Sequence, residues 1–271
     1  MITHIVNIVI CYANEDEVIE YAKQLAKQTF SERIMLCIVI NKSNKGIEYL
    51  DNGLKKIHLE YKLINSKVNL GYLNGLVYGY KFCEMKDSWF VLSNTDIKIP
   101  DEKFFYNFSK KEYISNGDIW VVGPSVYAPN KKIFSNPYLK NRPSKRSYVI
   151  KNIGMNFPNI YEVFYQIKST IKKKKCLKKV QHFEMIYAVH GSFMFVRSEL
   201  LELLCSFAPW ELLYDEEQYI GEVVDKYKKI EIYDPALQVL HLEGASTGKV
   251  KLKNRYKRMI NSNKRIIKEF Y

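Results

Sequence analysis

Glycine and proline are scarce in this sequence, with 12 and 8 residues among 271, and no segment repeats with a period of roughly 20 to 50 residues. Solenoids and propellers are therefore not expected. No apolar run approaches the ~18 residues of a membrane-spanning helix, and the N-terminus lacks the basic and apolar regions of a secretory signal. We expect a single compact domain of catalytic type in the cytoplasm.

Cysteine is also sparse, and no two cysteines have the CxxC spacing of metal or redox sites. Three of the five lie within apolar runs, where a cysteine behaves as a small hydrophobic residue. This pattern indicates a reducing compartment and agrees with a cytoplasmic location. The cysteines are Cys11, Cys37, Cys83, Cys176 and Cys205.

Acidic residues are outnumbered by basic ones, with 29 Asp and Glu against 42 Lys and Arg and a formal net charge of +13. Such an excess favours a polyanionic partner: phosphates, acidic glycans, a membrane surface or nucleic acid. No recognised RNA-binding motif is visible, so nucleic acid is not expected. A noncatalytic protein that binds a polyanion or a membrane stays open as an alternative.

The first hundred residues alternate short apolar runs with helical periodicity. Residues 5–11, 35–40 and 89–93 read as buried strands, and Asn14 with Glu17 forms a capping box for the first helix. This order predicts an α/β fold, in which helices flank a mainly parallel nucleotide-binding sheet. Ligands collect at the carboxyl ends of such strands, where four polar residues stand. They are Tyr12, Asn14, Asn41 and Asp96.

The rest of the chain changes character twice. Residues 135–185 combine a loop-like stretch, an aromatic stretch and a basic cluster, and are predicted to form an insertion. Strand-like sequence covers residues 187–196, helices follow over 198–205 and from about residue 215, and one or two strands lie within 230–247. We expect one domain over residues 1–250 and a basic helical tail over 251–271.

Ligands suited to a divalent ion stand at two strand ends. Asn94, Thr95 and Asp96 supply a carboxylate and a further oxygen that suit Mg²⁺ or Mn²⁺ held jointly with a diphosphate. An Asx turn that ends the strand is the alternative. His241 ends another strand before a loop of small residues that suits a phosphate or a metal, and a strand-end histidine with a structural role is the alternative.

Three adjacent carboxylates, Asp215, Glu216 and Glu217, crowd one helical turn. Their mutual repulsion can raise a pKa and leave one group able to act as a general base. Acidic residues that simply complement the helix dipole are the alternative. Trp210 and Tyr214 beside them favour a pocket.

Two further motifs also have a structural alternative. Gly191, in the triplet 190–192, would let a bound ligand lie close to the backbone, but an ordinary turn would look the same. The lysines at 172–175, 178 and 179, beside the aromatic stretch 157–166, would dock on an anionic membrane or form a solvated face.

Taken in order, these features resemble the family 2 glycosyltransferases of the GT-A fold, including bacterial rhamnosyltransferase-like members, over about residues 4–250. Residues 11–14 resemble the donor-binding start of that family, residues 69–72 its N-x-G-[FY] segment and residues 93–96 its version of the DxD motif. Residues 190–194 resemble the acceptor-side strand, residues 213–217 the acidic motif and residues 241–247 the late H-x-x-G-x-S segment.

The resemblance implies an inverting transfer of a hexose or deoxyhexose from a UDP- or dTDP-sugar to a hydroxyl of a glycan acceptor, with Mn²⁺ or Mg²⁺ as cofactor. Asp96, aided by His241, would hold the metal, and Glu217, or Glu216 in its place, would be the base. The insertion at 135–185 would lie on the acceptor side. The donor-binding residues would be Tyr12, Asn14, Asn41, Asn69, Gly71, Asn94 and Thr95, and the acceptor-side residues Gly191, Ser192 and Trp210.

Family habit and basic charge together imply bacterial surface polysaccharide synthesis, with a lipid-linked acceptor and a protein peripheral to the inner face of the membrane. A nucleotidyltransferase is the enzymatic alternative, since it also combines an α/β nucleotide site with a divalent ion. Its glycine-rich N-terminal loop with basic residues is absent here.

Overall fold

The computed structural model describes residues 4–83, 88–175, 177–243 and 251–271, with the backbone alone over 168–175. The strands are β1 (Ile5–Tyr12), β2 (Ile34–Lys42), β3 (Glu60–Asn65), β4 (Trp89–Ser93), β5 (Ile97–Lys98), β6 (Ile119–Ala128), β7 (Ile133–Phe134), β8 (Glu184–Ile186), β9 (Phe193–Arg197) and β10 (Ile230–His241). The helices are α1 (Glu15–Ala26), α2 (Ile47–Leu54), α3 (Leu73–Tyr80), α4 (Phe104–Ser109), α5 (Lys145–Met155), α6 (Pro158–Lys175), α7 (Ser198–Ser206), α8 (Glu216–Lys226) and α9 (Leu252–Phe270). Short 3₁₀ helices cover Ser31–Arg33 and Glu112–Ser115.

The described strands form one sheet. Its order is β3-β2-β1-β4-β9-β6-β10-β5, with β7 beside β6 and β8 beside β10. Strands β3, β2, β1 and β4 run parallel, as do β6 and β10, whereas β9 is antiparallel to both β4 and β6. The predicted α/β fold with a mainly parallel sheet flanked by helices is confirmed.

Both faces of the sheet are covered, which explains why the central strands are unbroken apolar runs. In β1, Ile5 and Val9 face the core that contains α1, α2 and α4. Val6 and Ile8 face the core that contains α3, α7 and α8, as the two-residue period of a strand requires. The polar residues that follow the strands are thereby left at the carboxyl edge of the sheet.

Of residues 187–196, which were expected to form a strand, only 193–196 belong to one, β9, and residues 187–192 form an irregular segment between β8 and β9. Within that segment the Val189 N–H donates to the Glu231 carboxylate, and the His190 N–H donates to the Asn136 side-chain oxygen, each at 2.8 Å. These two backbone N–H groups are thus bonded to side chains and not to the carbonyl groups of a neighbouring strand. The prediction is therefore confirmed over 193–196 and wrong over 187–192.

Helices α5 and α6 lie within the predicted insertion, and α9 packs against both. Asn263 Nδ2 donates to Asn152 Oδ1 at 2.9 Å, and the Tyr161 and Tyr256 rings lie 5.3 Å apart. Ile266 of α9 is fully buried. The tail is therefore in close contact with the preceding residues, and the boundary at residue 250 stays a prediction. Of the helices that the structure describes, none is long and apolar enough to span a membrane.

Candidate active site

The carboxyl ends of β1, β2 and β4 meet at one edge of the sheet, because these strands are parallel neighbours. Tyr12 lies opposite Lys42 in the β1–β2 register, and Val9 lies opposite Ser93 in the β1–β4 register. The residues just after these strands are therefore brought together. Tyr12 itself is 46% exposed at this edge, and the Lys42 ammonium lies 5.8 Å from the centre of its ring.

Asn14 connects the loop after β1 to the loop after β4. Its Oδ1 accepts from the Tyr12 N–H at 2.7 Å, and its Nδ2 donates to Thr95 Oγ1 at 2.7 Å and to Glu17 Oε2 at 3.0 Å. The predicted capping box was wrong, because the Asn14 side-chain oxygen turns back to the Tyr12 N–H and accepts no hydrogen bond from a backbone N–H of the first turn of α1. Two predicted donor residues, Asn14 and Thr95, are instead bonded to each other.

The buried side chain of Asn41 organises the loop that precedes α3. Asn41 Nδ2 donates to the Gly71 carbonyl at 2.9 Å, and the Gly71 N–H donates to Asn69 Oδ1 at 3.0 Å. Gly71 has φ +81, and a Cβ there would lie 2.4 Å from the Leu212 carbonyl oxygen. These three predicted donor residues lie together, and they bring the 69–72 loop against the segment that leads to α8.

A possible metal site lies where β4 and β10 end. His241 Nε2 is 3.2 Å from Asp96 Oδ1 and 3.4 Å from Asn94 Nδ2. His241 is buried, and its Nδ1 atom has no hydrogen-bond partner among the described residues. The small-residue loop expected to adjoin it, residues 244–247, lies outside the described residues.

The donor set at Asp96 fits a divalent ion that is shared with a ligand. A carboxylate and an imidazole suit Mn²⁺, and a carboxylate alone suits Mg²⁺. Across the described ranges, no three His, Cys, Asp or Glu side chains are grouped closely enough to hold a metal by themselves. An ion here would therefore need further oxygen ligands, of the kind that a diphosphate provides.

Glu217 lies against the backbone just before β9. The Gly191 N–H donates to Glu217 Oε1 at 3.1 Å, and a Cβ on residue 191 would lie 2.8 Å from the same oxygen. The carbonyl of Gly191 accepts from the Tyr72 hydroxyl at 2.7 Å. Gly191 thus has a structural role, since its missing side chain leaves room for the Glu217 carboxylate.

The acid motif is perturbed by burial. Burial and the neighbouring Glu217 carboxylate raise the pKa of Glu216 to about 8. Burial also raises the pKa of Glu217, in spite of the hydrogen bond from Gly191. The third carboxylate, that of Asp215, pairs with Lys151, whose Nζ lies 3.1 Å from its Oδ1. Raised carboxyl pKa values of this kind suit a group that exchanges a proton near neutral pH.

The Tyr72 phenol is influenced by carboxylates from the acid motif and from the loop after β4. The pKa of this phenol is raised by burial and by the nearby carboxylates of Glu216, Glu217 and Asp96. The Tyr72 hydroxyl donates to the Gly191 carbonyl, and the Gly191 N–H donates to Glu217, so Tyr72 is joined to the acid motif through residue 191. Asp96, predicted as a metal ligand, and the predicted bases lie in the same part of the molecule.

The remaining predicted acceptor-side residues lie in different surroundings. The Ser192 carbonyl accepts from the Asn94 N–H at 2.9 Å, and the Ser192 hydroxyl is 2.8 Å from His190 Nδ1. Ser192 therefore lies between the loop after β4 and His190. Trp210 is buried and stacks on Tyr219 with ring centroids 4.2 Å apart. Its indole therefore contributes to the core beneath the 210–214 segment.

Sequence reasoning missed a buried carboxylate at Glu15. It accepts from Ser43 Oγ at 2.6 Å and from the Asn44 and Lys45 N–H groups at 2.6 and 3.1 Å. Burial acts to raise the pKa of Glu15, but these hydrogen bonds lower it overall. The available signal was its position three residues before Val18, on the apolar face of α1.

A chain of buried polar groups behind the site was also missed. Asn7 Nδ2 donates to the Tyr21 hydroxyl at 2.8 Å, which donates to Ser93 Oγ at 3.0 Å, which in turn donates to the Asn94 carbonyl at 2.8 Å. The signal was a single polar residue, Asn7, inside an otherwise apolar strand.

Comparison with solved structures identifies the fold. Mannosyltransferase PcManGT from Pyrobaculum calidifontis, solved in complex with GDP-Man and Mn²⁺, matches 91% of this chain with a TM-score of 0.61 at 14% identity. TarS from S. aureus matches 89% with a TM-score of 0.53 at 14% identity. GalNAc-T7 with UDP, GalNAc and Mn²⁺ matches 95% with a TM-score of 0.58 at 12% identity. This chain has the GT-A glycosyltransferase fold.

The chain is shorter than these proteins and distant from them in sequence. It spans 59%, 59% and 48% of the three matched chains, respectively. No protein-family model and no curated protein matches it. The likeness therefore concerns the fold, and the rhamnosyltransferase-like subfamily stays a prediction.

The close approach of Gly71 to Leu212 predicts a large effect of Gly71→Ala. Gly46 is the matched control, because it also has positive φ (+87, against +81 at Gly71) but open space around its Cβ position. We expect Gly46→Ala to lower the free energy of unfolding by about 1–2 kcal/mol through backbone strain. Gly71→Ala should lower it by at least ~2 kcal/mol more, because Leu212 must move. Urea unfolding measures both losses, and equal losses would contradict the close approach.

The raised pKa of Glu216 predicts a pH-dependent stability. Its pKa is about 8 in the folded chain against an ordinary value of 4.5, so the folded state binds more protons between these values. The free energy of unfolding should therefore fall as pH rises through this range, and Glu216→Gln should flatten the fall and be more stable than wild type near the upper limit. Urea unfolding at several pH values tests this, with exposed Glu32→Gln as control. A wild-type slope unchanged in Glu216→Gln would rule out the raised pKa.

Proposed function

We propose that this protein is a metal-assisted glycosyltransferase that moves a sugar from a nucleoside diphosphate donor to a hydroxyl group of a glycan acceptor. The observation that carries the proposal is that residues 191 and 192 connect the candidate base to the candidate metal ligands. The Gly191 N–H donates to Glu217 Oε1, and the Ser192 carbonyl accepts from the Asn94 N–H. The Asn94 side chain lies 3.4 Å from His241 Nε2, which is 3.2 Å from Asp96 Oδ1. Glycosyl transfer needs two functions side by side: stabilisation of the leaving diphosphate, and removal of a proton from the acceptor. This edge of the sheet has candidate groups for both.

The donor is proposed to lie across the carboxyl ends of β1, β2 and β4. Exposed Tyr12 and the loops organised by Asn14 and Asn41 would form its nucleoside side. A UDP- or dTDP-sugar that carries a hexose or deoxyhexose is the proposed donor class. Two proteins of the same fold were solved with GDP-Man or with UDP and GalNAc, each with Mn²⁺, which supports a nucleotide-sugar ligand.

A divalent ion, Mn²⁺ or Mg²⁺, is the proposed cofactor. Asp96 and His241 would hold it, with the donor diphosphate as the source of further oxygen ligands. When bound, such an ion acts as a Lewis acid that stabilises negative charge on a leaving phosphate. His241 is oriented for this role by its position at the end of β10, where the Leu242 N–H donates to the Asp96 carbonyl at 3.0 Å.

Glu217 is the proposed general base of an inverting, single-displacement reaction. The Gly191 N–H fixes its Oε1 atom, and burial raises its pKa, so the carboxylate is a stronger base than an exposed one. Glu216 is the alternative base, but it is 8% exposed, and an acceptor would have less access to it. The acceptor is proposed to be a glycan of bacterial surface polysaccharide synthesis.

Substitution of the base provides the test of this mechanism. Glu217→Gln keeps the hydrogen bond from Gly191 but cannot accept a proton, so we expect kcat to fall by ~10² to 10⁴-fold while donor affinity changes little. Release of nucleoside diphosphate from a panel of nucleotide sugars, with mixed glycans as acceptors, measures kcat. Calorimetric titration of the donor measures affinity, and exposed Glu32→Gln is the control.

Two results would contradict this assignment. Unchanged kcat in Glu217→Gln, with loss of turnover in Glu216→Gln, would transfer the role to Glu216. Metal-dependent donor binding without turnover in wild type, for every acceptor tried, would favour a noncatalytic protein.

A further inference from the structure

Helices α5 and α6 expose a strip of apolar side chains that the proposed reaction does not use. Along α6 four exposed residues, Ile160, Val163, Phe164 and Ile167, have the i, i+3, i+4 and i+7 spacing that normally faces a core, and Tyr165 beside them is exposed as well. Single exposed apolar residues are ordinary on a protein surface, but a connected set marks an interaction site. We define the α5–α6 strip as seven residues whose exposed fractions range from 55% to 65%: Ile150, Ile153, Phe157, Ile160, Val163, Phe164 and Ile167.

The outward direction of the strip is fixed by packing on the other side of α6. The Tyr161 ring lies 5.3 Å from the Tyr256 ring of α9, and Glu162 pairs with Arg255. A Cβ on Gly154 would lie 2.5 Å from the Tyr161 ring, so α5 and α6 are also in close contact. The helices are therefore held in place by packing against each other and against α9, while their apolar strip is exposed.

The charge around the strip identifies the chemistry of its partner. Residues 141–180 contain eleven lysines and arginines but only one acidic residue, Glu162. That carboxylate is already paired with Arg255. Lys145, Arg146 and Lys178 are exposed in the sequence that flanks the strip. An apolar, aromatic strip flanked by basic residues is the pattern of a helix that lies in the interface of an anionic bilayer.

Other partners fit this surface less well. A nucleic acid would contact the basic residues but would leave the aliphatic side chains of the strip in water. A second copy of the chain would cover the strip but would bring two strongly basic segments together, and like charges repel. An anionic bilayer satisfies both features, because its acyl region receives apolar side chains and its phosphates pair with lysine and arginine.

We propose that the α5–α6 strip docks this protein on an anionic lipid bilayer. The apolar side chains enter the interface, and the flanking lysines and arginines contact the headgroup phosphates. Lys151 of α5 pairs with Asp215, next to Glu216 and Glu217, so docking places the acid side of the site near the membrane surface. The consequence that the acceptor is lipid-linked rests on the proposed function, whereas the docking does not.

Vesicle sedimentation of the full chain tests the docking without donor or metal. Wild type is compared with the triple variant Ile153→Ser, Phe157→Ser, Phe164→Ser on phosphatidylcholine vesicles with and without phosphatidylglycerol. The control triple variant, Ile47→Ser, Val68→Ser, Tyr106→Ser, removes exposed apolar residues elsewhere on the surface. Circular dichroism checks that each variant is folded.

We expect wild type to bind the anionic vesicles, with binding weakened by salt and by omission of phosphatidylglycerol. The strip variant should lose at least about tenfold in partition coefficient, and the control variant should lose less than about twofold. Absence of wild-type binding, or equal losses in the two variants, would overturn the proposal. A lipid-free dimer that the strip variant abolishes, detected by sedimentation velocity, would identify a second copy as the occupant and would also overturn it.

Because these readouts need no turnover, failure of the docking is distinguishable from failure of the proposed reaction. If the protein binds vesicles but transfers no sugar, the docking proposal stands and the proposed enzyme activity is contradicted. If the protein transfers sugar to soluble glycans but does not bind vesicles, the proposed activity stands and the docking proposal is contradicted.

Discussion

The close approach of Glu217 to the backbone of Gly191 is the constraint on which the rest of the site depends. A side chain at residue 191 would displace the Glu217 carboxylate, so the glycine leaves room for this group where the first turn of α8 reaches the segment before β9. The same short segment accepts a hydrogen bond from Tyr72 and, through the Ser192 carbonyl, one from Asn94. The loops after β3 and β4 and the acid motif are therefore connected through two consecutive residues, Gly191 and Ser192, and displacement of this segment would disturb all of them.

Burial of carboxylates in a basic protein is the second physical theme. Although the net charge of the protein is +13, burial has the largest influence on the carboxyl groups of Glu216 and Glu217 and raises the pKa of each. Among the described residues, Asp215 is the one acid of the three with a lysine, Lys151, within 4 Å of its carboxylate. Basic residues instead concentrate between positions 141 and 180, the segment that contains the exposed apolar side chains of α5 and α6. The charge distribution thus separates a desolvated acidic site from a basic outer surface.

The sequence was most informative where one physical requirement dominates. Residues 5–11 and 89–93 are strands because sheets buried on both faces need unbroken apolar runs, and the polar residues after them necessarily share an edge. Local patterns failed where tertiary hydrogen bonds compete with them, as at Asn14, which binds Thr95 rather than capping α1. Trp210 shows the same limit, because an aromatic residue near an acidic motif can line a pocket or fill the core. Hydrogen bonds between residues more than a hundred positions apart, such as that from the Tyr72 hydroxyl to the Gly191 carbonyl, leave no periodic signal.

The central claim is that the edge formed by β1, β2, β4 and β10 binds a nucleoside diphosphate together with a divalent ion. Isothermal titration of UDP, dTDP and GDP into wild type and Asp96→Ala, each with and without Mn²⁺, tests it most directly. The account predicts that at least one nucleotide binds wild type, that Mn²⁺ strengthens this binding, and that Asp96→Ala weakens the Mn²⁺-dependent affinity by about tenfold or more. Absence of nucleotide binding under every condition, or binding that depends on neither Mn²⁺ nor Asp96, would contradict it.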